Sequence, residues 1–216
     1  MAEGRDSILE RVRRAIGRPE QSDRGADGLL GPARPRVYAR PGFSGDPLDR
    51  FAEKVTAAAG TLVRIEAAEG IPAAVAAYLG ERNFPARMAI APALRDLPWP
   101  ESWEVHFGAS AGGDRVAVTP CFLAVAETGT LVLLSGPETP TTLNFLPDHH
   151  LVVVRASQVV GYLESVWERL RGLPNGVPRT VNLITGPSRT ADVEQTLQLG
   201  AHGPLGLHVI LQMQEG

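Results

Sequence analysis

Residues 46–90 read DPLDRFAEKVTAAAGTLVRIEAAEGIPAAVAAYLGERNFPARMAI, and their punctuation sets the class of fold. Asp46 is an N-cap residue and Pro47 stands at the first helical position, where a missing N–H breaks no bond, so a helix starts there. Leu48, Phe51 and Val55 recur at helical spacing and face inward, and Gly60 ends the helix. Thr61–Ile65 reads as a strand, Ile71–Leu79 as a second helix ending at Gly80, and Arg87–Ile90 as a second strand. Helices alternating with strands argue for a parallel sheet, because parallel neighbours need a crossover between them.

The alternation continues downstream. Trp103–Phe107, Val116–Val118, Leu131–Leu134 and Leu151–Val154 are short runs of strand type. Val159–Leu170 reads as a helix, with Val159, Tyr162, Leu163, Val166, Trp167 and Leu170 on one side and Gly172 beyond its end. Val181–Ile184 is a strand, Ala191–Leu199 a helix and Leu207–Leu211 a last strand. The expected fold is α/β: an open, mostly parallel sheet with helices on both faces. The two helices before residue 80 and the two after 158 would flank opposite faces.

Three segments divide the chain. Residues 1–18 form an N-terminal helical arm, with a Ser7–Glu10 capping box, an apolar stripe of Ile8, Leu9, Val12 and Ile16, and a stop at Gly17 and Pro19. Arg11, Arg13, Arg14 and Arg18 make this arm either a solvated basic face or an anion- or partner-binding element. Residues 19–45 are a linker rich in Pro and Gly. Residues 46–216 form the main domain.

Composition narrows the function classes. A hydrophobic share of 44% in 216 residues supports a sizeable core, and a net charge of −3 argues against general nucleic-acid binding. Charges are spread through the first twenty residues, and no uncharged apolar run approaches the ~20 residues of a membrane span, so a cytoplasmic location is expected. Cys121 is the one cysteine. It forms no intrachain disulfide, and an iron–sulfur cluster needs about four thiolates. No redox cofactor of its own is therefore expected. In an electron-transfer pathway, a partner or a diffusible cofactor would carry the electrons.

Two loops carry candidate chemistry. Thr185-Gly186-Pro187-Ser188-Arg189-Thr190 follows a strand and opens the helix expected at Ala191. In open α/β sheets ligands sit beyond the carboxyl ends of strands, and a helix start presents free N–H groups. Gly186, Ser188, Arg189 and Thr190 could together hold a carboxylate or phosphate. The plainer reading is a capped helix, with Arg189 paired to a nearby acid, and Asp192 and Glu194 count against an anion. The second loop is Glu127-Thr128-Gly129-Thr130, before the strand at Leu131. Glu127 adjoins the apolar run Phe122–Ala126 and should be partly buried. Such a carboxylate is either a structural hydrogen-bond acceptor or a nucleophile or general base.

His149, His150, His202 and His208 cluster late in the chain, and a strand would point His149 and His150 to opposite faces. A metal site of His150, His202 and Glu127 matches no ligand spacing, so no metal is expected. Cys121 reads as a buried small apolar residue, and Trp99 and Trp103 as a packed loop.

At these residues a resemblance enters. Ala126-Glu127-Thr128-Gly129-Thr130-Leu131-Val132-Leu133, Leu146-Pro147-x-x-His150, Thr185–Glu194 and Gly200-Ala201-His202-Gly203-Pro204 resemble, in order, the signatures of the lactate-utilisation protein C (LUD-domain) family. The arm, with Ile8-Leu9 and Arg11-x-Arg13-x-Ala15, is similar to that family's opening helix. Pro120 and Cys121 depart from a more polar pair, and His149 from a commoner apolar residue. Residues 80–115 match no quoted motif. The resemblance implies a fold like that of ribose-phosphate isomerases, glucosamine-phosphate deaminases and CoA transferases. It also implies an accessory role in oxidising L-lactate to pyruvate beside iron–sulfur partner proteins. Glu127 becomes the candidate catalytic residue, and Thr128, Gly129, Thr130, His150, Gly186, Ser188, Arg189, Thr190 and His202 the candidate ligand contacts. Two alternatives stay open: a stand-alone acyl or CoA transferase or sugar-phosphate isomerase using Glu127, and a carboxylate or phosphate sensor. A homo-oligomer is compatible with all three.

Overall fold

The structure, a computed structural model, describes residues 42–191, 197–199 and 202–214. The expected helical arm and the linker through residue 41 lie outside the described residues. The elements are α1 (Pro47–Ala57), β1 (Thr61–Ile65), α2 (Ile71–Glu81), β2 (Arg87–Ile90), β3 (Glu104–Phe107), β4 (Val116–Pro120), β5 (Leu123–Val125), β6 (Thr130–Leu134), β7 (His149–Arg155), β8 (Val159–Val160), α3 (Leu163–Arg171), β9 (Val181–Ile184), β10 (Arg189–Ala191), β11 (Leu197–Leu199) and β12 (Gly206–Gln212).

Local chemistry starts α1 as expected. The Asp46 carboxylate accepts the Leu48 N–H at 2.8 Å, and Phe51 and Val55 are buried. The exit differs from the expectation. Ala59, not Gly60, takes the left-handed conformation (φ 63°), and Gly60 N–H then bonds the Val55 carbonyl. Gly60 is required for closeness instead: a Cβ there would sit 2.9 Å from a Val55 methyl. Gly80 likewise lies inside α2 rather than after it.

The main sheet has six strands in the order β1-β12-β7-β4-β2-β3, every neighbouring pair parallel. Side chains alternate across it. Val152 and Val154 of β7 and Leu207, Val209 and Leu211 of β12 face α1, where Phe51 and Val55 meet them. Leu151, Val153 and Ile210 face the other way, onto Ile71, Val75, Tyr78 and Leu79 of α2. So the first two helices take opposite faces, correcting the expectation that they share one.

A second sheet explains the rest of that correction. It runs β8-β5-β6-β9, with β5–β6 and β6–β9 antiparallel and β5–β8 parallel. Its inner face (Ala124, Ala126, Leu131, Leu133) packs beside α1 on the main sheet. Its outer face (Leu123, Val125, Val132) is covered by Val166 and Leu170 of α3. Each fully buried side chain of this kind contributes roughly 1.5–3 kcal/mol, so both faces of the small sheet are fixed by packing.

Two expected helices are corrected. The Val159–Leu170 helix is a two-residue strand followed by α3. Val159 and Val160 are β-branched and pair with Ala124 and Val125, which outweighs their helical spacing. Of the expected Ala191–Leu199 helix, residues 192–196 lie outside the described residues, and the described ends are strand: β10 and β11 pair antiparallel, Arg189 with Leu199 and Ala191 with Leu197. Leu197 and Leu199 flank Gln198, an alternation that suits a strand as well as a helix turn.

Candidate functional site

Glu127 lies in the turn between β5 and β6. Ala126 N–H and Glu127 N–H donate to the Val160 and Gly161 carbonyls, which holds the turn beside the start of α3. The half-buried Glu127 carboxylate accepts the Leu163 N–H at 3.0 Å. Leu163 is the first residue of α3, and the preceding Tyr162 makes no side-chain cap bond there. Glu127 therefore supplies, from another segment, the acceptor that a helix start lacks.

Gly129 follows with φ +72°, and a Cβ on it would fall 2.7 Å from the Lys54 backbone carbon. Gly186 repeats this arrangement, with φ +81° and a Cβ position that overlaps the Ala58 carbonyl oxygen. Both motif glycines thus seat their loops on the last turns of α1. Between them runs a chain of hydroxyls: Thr128 Oγ1 to Thr130 Oγ1 at 2.7 Å, and Thr130 Oγ1 to Thr185 Oγ1 at 2.7 Å. Strand pairing explains the meeting, since Leu131 sits opposite Ile184. Ser188 N–H donates to the Pro204 carbonyl at 2.8 Å, which joins this loop to the turn holding His202.

The structure thus brings Thr128, Gly129, Thr130 and Gly186 together, and sets Ser188 against Gly203 and Pro204. It does not build the expected helix-start anion site. Arg189 opens β10, a strand, and β9 is an edge of the second sheet rather than a member of the parallel one. Arg189 and His202 are exposed, and the Thr190 side chain lies outside the described residues. His150 is sealed in the core at 0% exposure, its Nε2 2.8 Å from Thr119 Oγ1 and its Nδ1 without a partner. Burial pushes its pKa down to about 3, so it stays neutral. Among the described residues, no three His, Cys, Asp or Glu side chains are grouped to hold a metal ion.

A second cluster lies at the amino edge of the main sheet, on the α2 side. His149 opens β7, and its Nδ1 lies 2.9 Å from the Tyr78 hydroxyl. His208, on β12, places its Nδ1 2.7 Å from Thr61 Oγ1, and its ring lies 4.6 Å from that of Tyr78. Gly206 pairs with His149 in register, and a Cβ on it would collide with the His149 ring, so glycine is what admits the imidazole. Arg82 stacks on Tyr78 (3.7 Å from guanidinium carbon to ring centre) and Arg115 on Phe84 (4.1 Å). Burial lowers the pKa of both imidazoles, that of His208 to about 4, and the Arg82 charge adds to the effect. Sequence reading missed this cluster as a unit because only Tyr78 and Arg82 are close in sequence, i,i+4 at the end of α2, while Arg115 precedes β4 and His149 and His208 lie on strands far apart in the chain. The visible trace was the departure at His149.

The LUD domain family model matches residues 48–212. The chain belongs to the LUD domain family. Lactate utilization protein C of Geobacillus kaustophilus is 31% identical over an alignment that spans 93% of this chain and 92% of that protein. Lactate utilization protein C of Bacillus subtilis is 35% identical over 45% of this chain and 42% of its own length. The Uncharacterized protein NMB1437 of Neisseria meningitidis is 42% identical over 40% of this chain, and the match spans 37% of that protein. Among solved structures, a DUF162 family protein from Deinococcus radiodurans superposes with a TM-score of 0.61 at 26% identity, covering 79% of this LUD chain and 99% of the other. Its mostly parallel sheet with flanking helices is the α/β fold expected from residues 46–90.

Proposed function

We propose that this LUD-domain chain serves lactate utilisation as a component without a redox cofactor of its own, beside iron–sulfur partners that carry the electrons of L-lactate oxidation. The observation that carries the reading is the near full-length likeness to a lactate utilization protein C. Cys121 supports the division of labour. Its thiol is 4% exposed, donates to the Leu123 carbonyl, and has its pKa pushed up by burial to about 12. An iron–sulfur cluster needs about four thiolates, and Cys121 is the one cysteine of the sequence. Among the described residues, no helix is long and apolar enough to cross a membrane.

The test is genetic and biochemical. A strain lacking this protein should fail to grow on L-lactate and recover when the gene is returned. Tagged protein should retain iron–sulfur proteins on affinity resin. Undiminished growth on L-lactate without it would overturn the reading.

A further inference from the structure

The amino-edge cluster has the makings of a ligand site independent of the Thr128–Ser188 loops. His149 contacts two aromatic rings, each carrying a stacked guanidinium. Its Nδ1 meets the Tyr78 hydroxyl, and Arg82 lies over the Tyr78 ring. Its ring lies 4.8 Å from that of Phe84, over which Arg115 lies. Both guanidinium groups act against the protonated form of His149, while Asp148 favours it. Glu81 pairs with Arg82 at 3.2 Å but is 73% exposed, so water screens it. Among the described residues, Arg115 makes no ion pair. His149 Nε2 has no hydrogen bond among them and is not sealed from solvent.

The donor set fixes the ligand chemistry. A guanidinium stacked by its face on an aromatic ring leaves its in-plane N–H groups to meet the two oxygens of a planar anion. Arg82 spends Nη1 on the Tyr78 carbonyl at 3.4 Å and on Glu81, which leaves Nε and Nη2 for a ligand. The buried Tyr78 hydroxyl stays protonated and can donate to Nδ1 of a neutral imidazole. In that tautomer His149 carries its proton on Nε2, which becomes a third donor on a partly exposed ring. Two fixed positive charges exclude a cation.

We propose that this edge binds a small carboxylate, held by the guanidinium groups of Arg82 and Arg115 and by the Nε2–H of His149. The site does not require lactate to be the physiological acid. Growth on lactate tests the function, and binding tests the site, so either can fail alone.

The experiment is an NMR titration of the imidazole signals of the full chain at constant ionic strength. The probes are acetate, L-lactate and pyruvate, with chloride and inorganic phosphate as comparisons. The expected result is a saturable shift of His149 with at least one carboxylate, and a raised His149 pKa in its presence. Arg115→Gln, at an exposed position that leaves the core untouched, should weaken that affinity about tenfold or more. Arg82→Gln should do the same. No saturable carboxylate shift would overturn the proposal. So would a shift equalled by chloride, one produced by phosphate alone, or one unchanged in both variants.

Discussion

The Glu127 carboxylate accepts the Leu163 N–H at 3.0 Å, so an acidic residue of a β-turn ends up capping a helix that begins thirty-six residues later. The bond uses one oxygen as an acceptor, which an amide can also supply. Glu127→Gln should therefore change stability by less than about 0.5 kcal/mol, while Glu127→Ala should cost about 1 kcal/mol, the scale of a lost cap. Thermal melts of the two variants check this. If Glu127→Gln instead melts like Glu127→Ala, the negative charge at the helix start matters more than the hydrogen bond.

Gly129 and Gly186 combine a left-handed backbone with a Cβ position already filled by the α1 backbone. Gly129→Ala and Gly186→Ala should each destabilise by about 2–4 kcal/mol, from strain and overpacking together. Gly80 provides the opposite sign. It is helical, exposed and has open space around its Cβ position, so Gly80→Ala should stabilise by about 0.5–1 kcal/mol. Urea unfolding of the three variants reads the contrast.

His150 and His208 should give the protein an acid limb. Their folded pKa values, about 3 and about 4, lie below the ordinary value of 6.5. Between those values and 6.5 the unfolded chain binds more protons than the folded one. Their contribution is thus complete above pH 6.5 and lost progressively as pH falls toward 4 and then 3. Each such proton adds ~1.4 kcal/mol per pH unit to the slope of stability. Replacing His150 and Thr119 together by Leu and Val removes a hydrogen-bonded pair without stranding either partner. The double variant should show a shallower loss of stability below pH 6.5 in denaturant titrations.

Cys121 should be inert in the native state. A thiol whose pKa is pushed to about 12, with a carbonyl acceptor at 2.8 Å, holds almost no thiolate at neutral pH. A chromogenic disulfide reagent should label it only after guanidinium unfolding. Rapid stoichiometric labelling of the native protein would contradict its placement.

Much of the fold was legible because local rules were strong. Asp46-Pro47 marks a helix start by hydrogen bonding and a fixed φ. The buried parallel strands read as unbroken apolar runs, and Val181–Ile184 was bounded correctly. The failures share a cause. Val159–Val160, Leu123–Val125, Arg189–Ala191 and Leu197–Leu199 are too short for their period to distinguish strand from helix, so a pairing partner decided each. The candidate loops were found by their glycines. Their meaning changed once Gly129 and Gly186 proved to be seats for α1, and Arg189 the start of a strand.

By itself the sequence determined an α/β domain with a parallel sheet, a buried unreactive cysteine and the LUD motifs, because periodicity, caps and residue types act over a few neighbours. Only the tertiary structure decided which side chains share a site. Tyr78 and Arg82 are i,i+4 neighbours at the end of α2, but Arg115, His149 and Gly206 come from other segments, and their meeting follows from strand order and the packing of α2 on one face of the sheet. Contacts between residues so far apart in the chain are set by how layers bury their apolar faces, which no short stretch of sequence encodes.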